Sequence, residues 1–271
     1  MGPFAIRWYG LMYIVGYIVG YRVIRGRMER GLVSLTVPQL DTLIGYLVVG
    51  MLLGARLTYA VVYEPGHYLK DPLEVVRIWH GGLSFHGALI GMTAATGIFA
   101  RVHRFPFWQL ADTLALAGTP GLFFGRLGNF INGELYGRVT SVPWAMVFPT
   151  DPRHLPRHPS QLYEAIAEGL LLFLVLRALE RRAVNRGWYQ PGILVATFLI
   201  GYGTFRFLIE FTRQPDAQLG LVLGPFSAGQ LLCAAMLVAG VALLGLLRRV
   251  HPTTRNPART APMPDSSGRQ A

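Results

Sequence analysis

Apolar residues in this chain come in long runs, separated by short connections rich in Arg, Gly and Pro. A bilayer core takes about 20 apolar residues per helix, and runs at 8–24, 40–63, 83–101, 107–130, 161–179, 191–211 and 222–247 suit that length. The pattern predicts an all-α integral membrane protein, a bundle of seven transmembrane helices filling residues 1–249 with no soluble domain left over. Beyond Arg249 a Pro, Ser and Thr stretch ends in DSSGRQA. It has too little apolar surface to pack, so residues 250–271 are expected to form a disordered cytoplasmic tail. Glycines four apart, as in Gly16/Gly20, Gly50/Gly54, Gly87/Gly91 and Gly121/Gly125, let helix backbones approach closely and predict a compact bundle.

Composition agrees. Hydrophobic residues make up 52% of the chain and charged residues only 14%, where soluble domains carry about a quarter. The net charge of +11 comes from 24 Arg and one Lys. No zinc-finger or RNP pattern accompanies them and they lie between apolar runs, so a nucleic-acid partner is not expected. Alternate connections divide these residues unevenly. One set, with the tail, holds fifteen and the other seven, which places the N-terminus outside and the C-terminus in the cytoplasm. The start MGPFAIRW carries no small-residue cleavage site, so the first helix is expected to stay. Cys233 stands alone in an apolar stretch and is expected to be core.

Three arginines remain inside the spans: Arg56, Arg126 and Arg206. Each costs about 2.5–3.5 kcal/mol at mid-membrane and so needs a partner or a purpose. With alternating topology, Arg56 and Tyr59, Arg126 and Asn129, and Arg206 and Glu210 end three outward helices, while Tyr9 and His86 begin two inward ones. All fall within about 10 Å of the outer surface. Two readings fit this convergence. One is a structural ion-pair network, with Arg206 pairing Glu210 a turn later. The other is an anion site, because guanidinium forks match phosphate oxygens and stay charged. The stretch GRLGNFINGELYGR, residues 125–138, favours the second. Its glycines let backbone amides reach a ligand, and Asn129 and Asn132 add amide dipoles. In HGGLSFHG, His86 lies where a neutral imidazole can take a proton.

Other chemistries are poorly supplied: no H-E-x-x-H, no G-x-S-x-G and no Walker loop occurs. Ser84 and His86, two apart, do not face each other on a helix. A transporter or lipid flippase would also bury paired charges, and a non-enzymatic assembly factor could use the arginines structurally. Internal repeats and midplane sites, usual in transporters, are not evident. The loop from 131 to 160, long and holding three basic residues, is expected to be a lid or docking platform.

RWYGLMYIVGY, HGGLSFHG, GRLGNFINGELYG, RHPSQLYEA and GYGTFRFLIEFTRQPDAQLG together resemble the prolipoprotein diacylglyceryl transferases, in family order and across most of the chain. The resemblance implies an enzyme of the bacterial inner membrane. It transfers the diacylglyceryl group of phosphatidylglycerol to the lipobox cysteine in a prolipoprotein signal peptide, the first step of lipoprotein maturation, and releases glycerol phosphate. It further implies that Arg126 and Arg206 hold the phosphate and that His86 is the candidate base for the thiol. The alternative is a thiol acidified by the arginines alone. Tyr9, Asn129, Glu134, Gly137, Tyr202 and Glu210 match positions important for headgroup binding or site architecture. Arg56 joins them from topology. No metal or organic cofactor is called for. His80 reads as interfacial, and His158-Pro159-Ser160 as the start of the fifth helix with Ser160 as its cap, so Gln161 stays outside the core site.

Overall fold

The computed structural model describes residues 8–77, 79, 81–214, 221–223 and 226–250; within these the side chains of residues 8, 9, 85, 86, 221–223, 226–228 and 250 are not described. Residues 251–271, and with them the expected tail, lie outside the described residues.

Each of the seven apolar runs contains a helix. Helix α1 spans Trp8–Glu29 and α2 spans Val37–Thr58, running on through a π turn at Tyr59–Tyr63. Short α3 (Pro65–Lys70) and a 3-10 turn (Pro72–Val76) lead to α4, Phe85–Val102. Helix α5 is Phe107–Ile131. One continuous rod follows: α6 (Ser160–Glu164), a π segment (Ala165–Leu171) and α7 (Leu172–Asn185). Helix α8 (Ile193–Ile209) ends in a 3-10 turn, Glu210–Thr212, and α9 is Ala228–Val250. Three of these, Val37–Tyr63, Ile193–Thr212 and Gly229–Arg249, are long and apolar enough to cross a membrane by length and composition. Val49 and Leu53 on α2, Val61 and Val62 in the π turn after it and Val238 on α9 are exposed, which suits lipid rather than water.

Local signals explain the starts. Thr36 and Gln39 form a capping box before α2, and the Ser84 hydroxyl accepts the Gly87 N–H at 3.2 Å to open α4. Two expectations are corrected. Ser160 does not cap the fifth helix: its hydroxyl donates to the Leu135 carbonyl at 3.2 Å, and Pro159 occupies the cap position without a side-chain bond. The last helix begins at Ala228, not 222, after a small hairpin of β3 (Leu221–Leu223) and β4 (Phe226–Ser227). Pro225 disfavours helical geometry at the residue before it, and the helix starts beyond it.

The glycine spacings do bring helices together. On α2, a Cβ at Gly50 would come within 2.6 Å of Ala95 Cβ on α4, and one at Gly54 would strike the Gly87 carbonyl. On α1, a Cβ at Gly16 would sit 3.2 Å from Gly121 Cα on α5, and one at Gly20 would sit 2.9 Å from the Ala117 carbonyl. Gly125 faces open space and belongs to no such seam. We expect Gly54→Leu to force α2 and α4 apart and lower unfolding stability in detergent by about 3 kcal/mol, the upper end for overpacking. An unchanged unfolding midpoint would show that the seam carries no stability.

Two buried polar clusters tie the bundle. At one end Arg27 and Glu180, both fully buried, pair with each other, while Arg177 and Arg30 reach Glu180 at 2.5 and 3.0 Å. Beside them Asp112 caps α8, accepting from Gly192 and Val195 N–H and from the Tyr189 hydroxyl at 2.8–2.9 Å. Cys233 is buried in α9, where its carbonyl lies 2.8 Å from a Cβ placed at Gly203 of α8. The other cluster lies at the opposite end of α5.

Candidate anion site at the end of α5

Glu164 is the hub of this second cluster. It sits in the last turn of α6, fully buried, and three arginines converge on it: Arg126 Nε of α5 at 2.6 Å, Arg206 Nη1 of α8 at 3.1 Å and Arg213 Nη1 at 2.5 Å. Arg206 also reaches Glu210 at 2.9 Å, and Arg213 Nε stands 3.5 Å from the same carboxylate. Glu168, one turn on from Glu164 in the π segment, is fully buried and 3.9 Å from Arg206 Nη1. Single π segments in longer helices often mark functional sites, because the extra residue per turn re-aims the side chains that follow. The formal charges of Arg126, Arg206, Arg213, Glu164, Glu168 and Glu210 sum to zero. A buried carboxylate is tolerated when it is paired in this way.

Arg126 remains one-fifth exposed, with only its Nε on Glu164 among the described residues. Its guanidinium is thus the most exposed of the three that meet Glu164.

The connection after α5 closes over this cluster. The Gln161 amide donates to the Glu134 carbonyl at 2.6 Å and the Glu134 N–H donates to the Asn129 carbonyl at 2.8 Å. Gly137 pairs antiparallel with Arg213, and its N–H donates to the His158 carbonyl at 2.9 Å. A Cβ there would strike the Thr212 carbonyl and lie 2.8 Å from His158 Cβ, so this position needs glycine for close backbone approach. Farther out, β1 (Met146–Val147) pairs with β2 (Pro156–Arg157), and Arg157 grips Asp151 through Nε at 2.5 Å and Nη2 at 3.0 Å. The segment is thus a cross-tied platform.

Hydrogen bonding from Arg157, aided by the Arg153 and Leu155 N–H groups, holds the Asp151 carboxyl down at about 2. A depressed folded value contributes stability above the ordinary carboxyl value of about 4, lost as pH falls towards 2. Amide hydrogen exchange across 140–157 should therefore speed up between those two pH values in the native chain. It should change little in Asp151→Asn, which is already loosened. Equal pH dependence in both would exclude the clamp as the cause.

The model of the family described as prolipoprotein diacylglyceryl transferase matches residues 1–246. The chain belongs to this family. A relative from Bordetella bronchiseptica is 49% identical over 249 residues, covering 90% of this chain and 91% of its own length. One from Geobacter sulfurreducens is 48% identical over 92% of this chain and 94% of its own. One from Rhodospirillum rubrum is 48% identical over 93% and 92%. All three are named phosphatidylglycerol–prolipoprotein diacylglyceryl transferase.

Of the candidate residues, this prolipoprotein diacylglyceryl transferase family member brings Arg126, Arg206 and Glu210 into one cluster, with the Arg206–Glu210 pair expected from the sequence. Asn129 is buried one turn beyond Arg126 on α5, and Tyr202 lies one turn before Arg206 on α8, stacked on Phe198 with centroids 5.6 Å apart. Glu134 is exposed; its backbone carbonyl holds Gln161, and its carboxylate accepts from Asn132 at 3.4 Å. The side chains of Tyr9 and His86 lie outside the described residues, although their backbones belong to α1 and α4.

Arg56 stands apart. Its guanidinium directs Nε to the Val75 carbonyl, Nη1 to Gly81 and Gly82, and Nη2 to Glu74 and Arg77. Five donors thus meet five carbonyls, and the Tyr68 ring lies 5.1 Å away. The loop at 74–82 provides the partners that the sequence did not reveal, and no donor is left to grip a phosphate. Four residues at the cluster were not anticipated: Glu164, Glu168, Arg213 and Gln161. Two carboxylates four apart inside an apolar run were the visible signal for the first pair.

Proposed function

We propose that this chain transfers the diacylglyceryl group of phosphatidylglycerol to the thiol of a lipobox cysteine in prolipoproteins. A thioether forms and glycerol phosphate leaves, the first step of bacterial lipoprotein maturation. What carries the reading is the match to relatives named for this reaction over nine-tenths of both chains. The cluster supplies a physical means. Arg126, which is partly exposed, and Arg206 receive the phosphate and neutralise the charge that develops as the glyceryl C–O bond breaks. Tyr202, Asn129, Glu210 and Tyr9 shape the headgroup site, while Glu134 and Gly137 shape the platform above it. Arg56 holds the 74–82 loop.

The finer topology follows from the charge distribution. Seven helices span the bacterial inner membrane, with the N-terminus outside and the 250–271 tail in the cytoplasm. The arginine-rich ends at Arg22–Arg30 and Arg177–Arg186 face inward, so the Arg126 cluster lies at the outer leaflet. There the 131–160 platform can receive the signal peptide. Residues 1–249 form the single catalytic domain.

Incubation of the purified protein with labelled phosphatidylglycerol and a lipobox peptide tests the reaction. Thioether product with glycerol phosphate release is expected. Lipid movement across vesicles without product would instead indicate a flippase, and neither activity an assembly factor. His86→Gln is expected to lose most transfer yet still bind phosphatidylglycerol. Near-normal turnover would remove His86 as the base and leave thiol acidification to the arginines.

A further inference from the structure

Glu168 is fully buried, and neither carboxylate oxygen accepts a hydrogen bond among the described residues. Its one ion pair within 4 Å is to Arg206 Nη1 at 3.9 Å, a nitrogen that lies closer to Glu164, at 3.1 Å. Glu164 and Glu210 are better provided for, with contacts of 2.5–3.1 Å and 2.9 Å to arginines. Among the described residues, the groups around Glu168 are Arg126 on α5, Glu164 on α6, Tyr202 and Arg206 on α8, Arg213 just beyond it and Cys233 on α9, with Glu210 paired to Arg206. No charged side chain on the first turns of α7 faces it, since Arg177 and Glu180 belong to the far cluster.

With its three arginines and three carboxylates all ionised, the cluster is formally neutral among the described residues, so a phosphodiester headgroup adds one negative charge to a largely buried site. A buried net charge is unfavourable and is relieved by moving a proton rather than by tolerating the charge. The headgroup also competes for Arg206, the only cation within ion-pair reach of Glu168 among the described residues. We propose that binding of the phosphodiester headgroup is coupled to uptake of one proton by Glu168, which keeps the occupied site neutral. This rests on the transferase reading above and adds to it a charge-balancing residue that touches no reacting atom. The proton comes from solvent and returns when glycerol phosphate leaves.

Coupling has a definite sign. Only the protonated form of Glu168 accepts the headgroup well, so the KM for phosphatidylglycerol rises with pH, towards about tenfold per pH unit once Glu168 is ionised in the free protein. In Glu168→Gln, which is permanently neutral there, that rise should flatten. An independent readout uses the native protein alone: infrared difference spectra on adding phosphatidylglycerol vesicles should show a protonated-carboxyl C=O band at a pH where the free protein shows none. The same KM slope in Glu168→Gln as in the native chain overturns the proposal. If that variant does not fold, absence of the carboxyl band in the native protein overturns it instead. A native chain that forms thioether with a KM indifferent to pH leaves the transferase standing and removes the coupling. A native chain that neither binds phosphatidylglycerol nor forms product removes both.

Discussion

Replacing Arg206 or Arg126 with alanine is expected to slow thioether formation by about a thousandfold or more. On the proposed mechanism each removal takes away a preorganised donor aimed at developing phosphate charge, and such donors are worth about 10²–10³ in rate. Lysine should restore little. Arg206 touches Glu164, Glu168 and Glu210 through two separate nitrogens, a spread that a single ammonium cannot reproduce. The measurement is the rate with saturating labelled phosphatidylglycerol and lipobox peptide. Full activity in Arg126→Lys or Arg206→Lys would falsify the two-arginine clamp.

Glu164→Ala should fail in a different way, by losing the fold. Three arginines meet this one buried carboxylate, and its removal leaves them facing one another. Breaking a buried pair by deleting one partner costs about 3–5 kcal/mol. Unfolding in detergent should show that loss, and transfer should vanish with it. Native stability in the variant would mean that water or lipid already compensates these arginines.

Much of the site's place was legible in the sequence. Arg126, Arg206 and Glu210 were expected at one level because each ends a predicted helix of the same direction, and the fold does bring these three together. What depth cannot give is direction around the helix axis. Arg56 was expected at the same level but points into the 74–82 loop, whose five carbonyls become visible only once that loop is folded. The same limit hid Glu164 and Glu168. Two carboxylates four apart in an apolar run were visible, but not that both turn inward to full burial. Glycine spacing showed that α2 and α4 have surfaces for close contact, but not that they contact each other. His158-Pro159-Ser160 was a sound guess at a helix start. The cap failed because the Leu135 carbonyl took the Ser160 hydroxyl.

Helix α5 carries Asp112 near its first turns and Arg126 near its last, about 21 Å apart along the axis. The rod from Ser160 to Asn185 carries Glu164 near one end and Glu180 near the other. Each is therefore fastened at both ends, like a beam bolted to two walls. A slip of one helical turn, about 5.4 Å, or a rotation about the long axis would unfasten both bolts at once. These two helices can serve only as fixed posts. The α2 and α4 helices pack mainly against each other and only lightly against α5, so that pair is joined to these posts by a far weaker seam.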